Sequence, residues 1–179
     1  MSLVELMVVV SIMSVLVALA VNGPKGHPVP EAARSAQGML SEARRHAVEA
    51  GPVRAPVAAA LGTTARVRVE FSSVSGRNVL RIFDLVEEPA PSTRATWRPA
   101  GELFFSGTVE LVAVSAAAQS EPGGVAAPLL GGGTVNKYFF PNGRADAMTL
   151  YFRKRVGPAD EYRVFVLPVS GIATMFKGW

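Results

Sequence analysis

The chain has 179 residues, of which 49% are hydrophobic, a formal net charge of +4 and no cysteine. This length suits one globular domain with a buried core, and the lack of cysteine excludes disulfides, thiolate metal ligands and a thiol nucleophile. The basic residues are spread along the chain with acids between them, which disfavours a continuous surface for nucleic acid.

The first 21 residues form an apolar segment, MSLVELMVVVSIMSVLVALAV. As a helix it would be roughly 30 Å long, which matches the hydrocarbon core of a bilayer, so we expect a transmembrane helix at 1–21. Its one charged side chain is that of Glu5. This carboxylate either lies near the headgroups at the helix start or pairs with a positive charge on assembly, such as the α-amino group of a neighbouring copy.

The run SLVELMVVVSIMSVLVALA resembles the N-terminal segment of mature type IV pilins and type II secretion pseudopilins, in which a glutamate occupies the fifth mature position, as Glu5 does if Met1 is the first mature residue. The resemblance implies that a prepilin peptidase exposes and methylates the amino group of Met1, although the family usually begins with Phe. It implies that Glu5 and the Met1 amine of adjacent subunits form the assembly charge pair. It also implies a single span in the inner membrane with a periplasmic head, and later an extracellular pilus.

A joint and a second helix are predicted after the apolar segment. Residues 22–30, NGPKGHPVP, are rich in proline and glycine, and proline disfavours helix both at its own position and in the residue before it. From Glu31 to Ala50 apolar residues recur at helical spacing, which predicts an amphipathic helix. His27 has no second metal ligand nearby, and His46 is expected at the surface of the helix.

The rest of the chain predicts short antiparallel strands. Clean alternation over Ala65–Phe71, followed by a turn at Ser75–Asn78, predicts a hairpin. Glu87–Gly101 is expected to be a proline-rich connector, and 116–133 a long loop. The remaining predicted strands are Val79–Val86, Leu103–Phe105, Thr108–Ser115, Met148–Lys154, Tyr162–Val169 and Ile172–Phe176. The predicted fold class is therefore α+β: a membrane helix at 1–21, a joint at 22–30, and a head at 31–179 in which a short helix packs on antiparallel sheets.

Weaker motifs in the last third extend the resemblance. Residues 135–145 read VNKYFFPNGRA, a strand running into a turn, and a Ser170–Gly171 turn precedes the last strand. Their order resembles the C-terminal half of the GspH/FimT branch of pseudopilins and minor pilins, and residues 43–53 resemble the exit of its helix. That branch supplies low-abundance subunits, so the resemblance implies a pilin-like head and a minor pilin that joins a tip or priming complex and helps to start filament assembly.

The resemblance also implies the partners. These are other minor pilins and the major pilin, the inner-membrane assembly platform, the prepilin peptidase before maturation and a tip adhesin. One alternative is a minor pseudopilin of a type II secretion system. Another is a DNA-binding pilin for uptake, with contacts from Arg153, Lys154 and Arg155, although cations at a hairpin end are usually only solvated. A further alternative is an anchored domain that never polymerises.

No enzyme motif stands out in the sequence. The two histidines lie in a joint and on a helix, and no serine has the surroundings of a nucleophile elbow. We therefore expect no catalytic site, no metal and no cofactor.

Overall fold

The computed structural model describes Met7 and residues 9–14, 27–115, 126–128, 133–158 and 160–178. Two helices follow residues 9–14 in these segments, α1 (Pro28–Glu49) and α2 (Ala55–Leu61). The strands are β1 (Val67–Val74), β2 (Arg77–Glu87), β3 (Ala95–Phe104), β4 (Val109–Ser115), β5 (Ala126–Pro128), β6 (Val135–Phe139), β7 (Met148–Lys154), β8 (Glu161–Val166) and β9 (Ala173–Lys177).

The strands form two antiparallel sheets. Sheet 1 has the order β3-β2-β1-β6, and sheet 2 has the order β5-β4-β7-β8-β9. In sheet 1 the register places Val69 opposite Ile82 and Arg68 opposite Phe83, so that apolar and polar positions alternate between its two faces. A bulge lies between Ile82 and Phe83 where β2 meets β3.

Helix α1 covers the inner faces of both sheets. It begins at Pro28, since proline is well suited to the first helical turn, where its missing N–H breaks no helical hydrogen bond. After the helix Gly51 adopts a left-handed φ of 67°. The buried face consists mainly of small residues at helical spacing, which lets the helix axis approach the sheets closely: Val29, Ala33, Ala36, Leu40, Ala43 and Ala47.

The core lies between α1 and the two inner faces. Sheet 1 contributes Val69, Phe71 and Ile82, and sheet 2 contributes Leu150 and Phe152 among others. Between the sheets the buried Asn78 accepts a hydrogen bond from the Leu111 N–H at 3.1 Å through its side chain and one from the Phe105 N–H at 3.0 Å through its backbone. This residue therefore ties β2 to the start of sheet 2.

Two turns stack on each other at the C-terminal half of α1. The Gly143 and Gly171 turns have positive φ angles of 80° and 63°. The Ala145 N–H donates to the Pro168 carbonyl at 3.0 Å, and the Arg44 Nε donates to the Ser170 carbonyl at 2.6 Å. Gly143 and Gly171, the glycines of the two C-terminal motifs, thus allow the two turns and α1 to pack closely together.

The predicted fold class, with a long N-terminal membrane helix, is wrong for the part of the chain described here. That part consists mainly of antiparallel sheet, and none of its helices is both long and apolar enough to cross a membrane. The predicted single span in the inner membrane is contradicted by the same finding. Among the described helices only α1, with 22 residues, is long enough to cross a bilayer, and the charges it carries throughout exclude it: Glu31, Arg34, Glu42, Arg44, Arg45 and Glu49. Most of 1–21 lies outside the described residues.

Four further features differ from expectation. Residues 28–30 of the predicted joint are helical, and the helix Ala55–Leu61 was not predicted. The expected connector at Glu87–Gly101 contains most of β3, because an edge strand tolerates Pro99. The expected loop at 116–133 contains the short strand β5, and its other residues, except Gly133, lie outside the described part.

Candidate functional site

The described residues of the N-terminal segment present an apolar surface. Met7 and residues 9–14 are helical, and five large apolar side chains are 46 to 64% exposed: Met7, Val9, Val10, Ile12 and Met13. The Ser11 hydroxyl donates to the Met7 carbonyl and the Ser14 hydroxyl to the Val10 carbonyl, both at 2.8 Å. Because both hydroxyls donate within the helix, neither needs a partner outside it.

The predicted charge pair cannot be placed on this surface. Glu5 and Met1, including its proposed methylation site, lie outside the described residues.

The basic run at the end of β7 is mostly engaged within the protein. The Arg153 guanidinium donates to Glu110 at 3.2 Å from Nε and 2.9 Å from Nη2. The Arg155 Nη2 donates to the Gly76 carbonyl at 3.3 Å, and the Arg155 N–H donates to the Thr108 carbonyl at 2.9 Å. Arg153 and Arg155 therefore both make polar contacts within the protein.

A buried ionic cluster joins the α1–α2 connection to the end of β2. The Glu87 carboxylate is 10% exposed and receives the Arg54 Nε at 2.5 Å, while the Arg66 Nη1 lies at 2.7 Å. Arg66 also donates to the carbonyls of Gly51 and Pro52 at 2.7 and 2.6 Å. Burial acts to raise the pKa of Glu87, but the hydrogen bonds and charges of the two arginines outweigh it and leave the pKa below its usual value.

His46 takes part in a second polar contact that was not foreseen. Its ring is 24% exposed, and Nδ1 lies 3.2 Å from both Asp84 oxygens, with Glu42 at 3.6 Å from Nε2. It therefore joins α1 to β2 and is not a free surface histidine. In the described residues no group of three potential metal ligands occurs.

The outer face of sheet 1 carries aromatic and charged side chains together. The Arg68 guanidinium lies over the rings of Phe83 and Trp97, with its carbon 4.5 and 5.4 Å from their centroids. The rings of Trp97 and Tyr138 are 6.1 Å apart. The sequence signal for this cluster was the alternation of β1, which placed Arg68 outward, but the aromatic residues come from three other strands.

Compared with known protein families, with curated proteins and with solved structures, the chain has no match.

Proposed function

We propose that this protein is a minor pilin, which joins a tip or priming complex of a type IV pilus and helps to start filament assembly. The observation that carries the proposal is the exposed apolar helical segment at Met7 and residues 9–14. The resemblance of residues 2–20 to mature pilins gives that segment its expected use as an assembly helix.

The physical driving force is the burial of this surface among neighbouring helices. Complete burial of a large apolar side chain contributes about 1.5 to 3 kcal/mol, and roughly half of this remains to be gained at each of the five side chains, which together favour a bundle. Ser11 and Ser14 do not oppose burial, because their hydroxyls already donate to carbonyls of their own helix. A contact between apolar helices alone, however, does not fix how far one subunit slides along the next.

Glu5 supplies that register in the proposal. A carboxylate buried in an apolar bundle is costly unless it is paired, and the same holds for the α-amino group of Met1. Pairing Glu5 of one subunit with the Met1 amine of its neighbour neutralises both charges. The pair can form at only one relative position of the two subunits along the filament axis. The partners that follow are the major pilin and other minor pilins.

The test is quantitative mass spectrometry of sheared, purified pili, in which the methylated N-terminal peptide is measured against the major subunit. We expect a few copies per filament for the wild type, a strong loss for Glu5→Ala, and partial retention for Glu5→Asp, which keeps the charge. Equal incorporation of Glu5→Ala and wild type would refute the charge pair. Absence of the protein from pili, combined with loss of enzyme export on deletion, would replace the proposal with a type II secretion pseudopilin.

A further inference from the structure

The outer face of sheet 1 contains a groove of about 500 Å³ between β2 and β3. This volume lies within the range of small-ligand sites. The lining residues are Arg81, Phe83, Pro99, Ala100, Gly101 and Glu102. The bulge in the pairing of β2 and β3 opens it, since Phe83 pairs with Pro99 and Ile82 with Gly101, which leaves Ala100 without a partner on β2.

One side of the groove is apolar and held in place. Phe83 and Pro99 face each other across the two strands. The Arg68 guanidinium stacks on Phe83 and on Trp97, and Trp97 in turn contacts Tyr138. Fixed rings of this kind offer flat apolar surfaces at little further cost in side-chain entropy.

The other side is polar, and its charges balance. The Arg81 Nε donates to Glu102 at 2.5 Å, and its Nη1 lies 3.5 Å from Glu70. Glu70 also lies 4.0 Å from the Arg68 Nη2. The one arginine and the one glutamate of the lining therefore pair with each other, so the lining attracts neither a polyanion nor a polycation.

A peptide strand is a poor occupant of this region. β3 is the edge of sheet 1, but Pro99 lacks an N–H, Ala100 is bulged, and Arg98 and Glu102 place charges on the strand. These are the features with which proteins prevent strand addition.

We propose that the groove binds a flat, uncharged oligosaccharide. A pyranose ring has an apolar face that matches the apolar lining at Phe83 and Pro99, and hydroxyl groups that match the donors of Arg81 and the acceptors of Glu102. The balanced charge suits a neutral ligand. This inference does not depend on the filament proposal.

The test uses the full-length Trp179→Phe variant, in which Trp97 is the single tryptophan, in a detergent that has no sugar headgroup. Tryptophan fluorescence is followed on titration with cellotetraose and with chitotetraose. We expect a saturable change with at least one of them and none with a heparin oligosaccharide. No saturable change with either neutral sugar, or an equal response to heparin, overturns the proposal.

Two matched variants locate the binding. Phe83→Leu removes the ring from the groove, whereas Phe176→Leu removes a ring from sheet 2 that also stacks, 5.2 Å from Phe165 and beside Arg163. We expect Phe83→Leu to weaken binding about tenfold, the scale of one aromatic contact, and Phe176→Leu to leave it unchanged. Equal affinities of the two variants, with both folded by circular dichroism, would place the ligand elsewhere and refute the assignment.

Discussion

Gly171 and Gly143 approach each other so closely that a Cβ atom on Gly171 would lie 2.5 Å from the Gly143 carbonyl oxygen. The same Cβ would lie 3.2 Å from the Arg44 Cδ, so it would disturb both the neighbouring turn and the helix. Gly171 also has a φ of +63°, which side chains rarely adopt. This position therefore combines a conformational and a steric requirement for glycine.

We expect Gly171→Ala to lower the free energy of unfolding by about 2 to 4 kcal/mol, the sum of left-handed strain and overpacking. Chemical denaturation measures the change. Gly62→Ala is the matched control, because Gly62 has a φ of +68° but nothing within 4 Å of its Cβ position, so only the strain of about 1 to 2 kcal/mol remains. Equal losses for the two variants would show that the contact with Gly143 is unimportant.

Glu87→Gln should destabilise the protein by about 3 kcal/mol, because two arginines then keep their charges in a largely buried site without the carboxylate. Glu88→Gln is the control at the next residue, where the exposed carboxylate accepts a hydrogen bond from Ser92 at 2.7 Å. We expect it to cost less than about 1 kcal/mol. A loss for Glu87→Gln as small as that of Glu88→Gln would contradict a stabilising cluster.

The lowered pKa of Glu87 predicts an acid dependence of stability. As pH falls, the unfolded carboxylate binds its proton first, so the stabilisation is complete above the usual glutamate value of about 4.3 and declines as pH falls through the lower folded value. Urea unfolding between pH 5 and 2 should therefore show a steeper decline for the wild type than for Glu87→Gln. If the free energy of unfolding falls equally with pH in the wild type and in Glu87→Gln, other carboxylates control the loss of stability in acid.

Arg44→Lys should cost about 1 to 2 kcal/mol, because lysine has no Nε–H to reproduce the 2.6 Å hydrogen bond to the Ser170 carbonyl. Arg45→Lys is the neighbouring control, since its ion pairs with Glu42 and Glu49 are exposed to solvent and contribute little to stability. Thermal unfolding distinguishes them. A larger loss of stability for Arg45→Lys than for Arg44→Lys would contradict a stabilising hydrogen bond between Arg44 and Ser170.

Val10→Asp should block filament incorporation, because a carboxylate would enter the proposed helix bundle without a partner. The variant should have the same melting temperature as the wild type, since the Val10 side chain is 57% exposed and does not belong to the core between α1 and the sheets. Ser14→Ala should retain incorporation, because its hydroxyl bonds only within the helix among the described residues. Normal incorporation of Val10→Asp would argue against a buried assembly surface.

Periodic features were predictable from the sequence. The spacing of small apolar residues predicted α1 from Glu31 onward, and Ala36, Leu40, Ala43 and Ala47 at this spacing are buried. The alternation at β1 gave the correct inward positions Val67, Val69 and Phe71. Both patterns depend on neighbours that are close in sequence, which is why they can be read directly.

Features that depend on distant partners were not predictable. Nothing in the residues around His46 indicates Asp84 on another element, and nothing near Glu87 indicates Arg54 and Arg66. Pro99 suggested a connector because proline disfavours most strands, and only the position of β3 at a sheet edge makes it acceptable. The groove beside it follows from a bulge, which has no reliable local signature.

The contacts of α1 have a consequence for synthesis of the chain. Gln37 Nε2 donates to the Ala173 carbonyl across a separation of 136 residues, and the Arg44 contact with Ser170 spans 126. Because the N-terminal region leaves the ribosome first, the small-residue face of α1 stays partly exposed until β8 and β9, the last two strands, have been synthesised. Removal of the final strand would leave that face without its cover, so a short C-terminal truncation should be far more damaging than its length suggests.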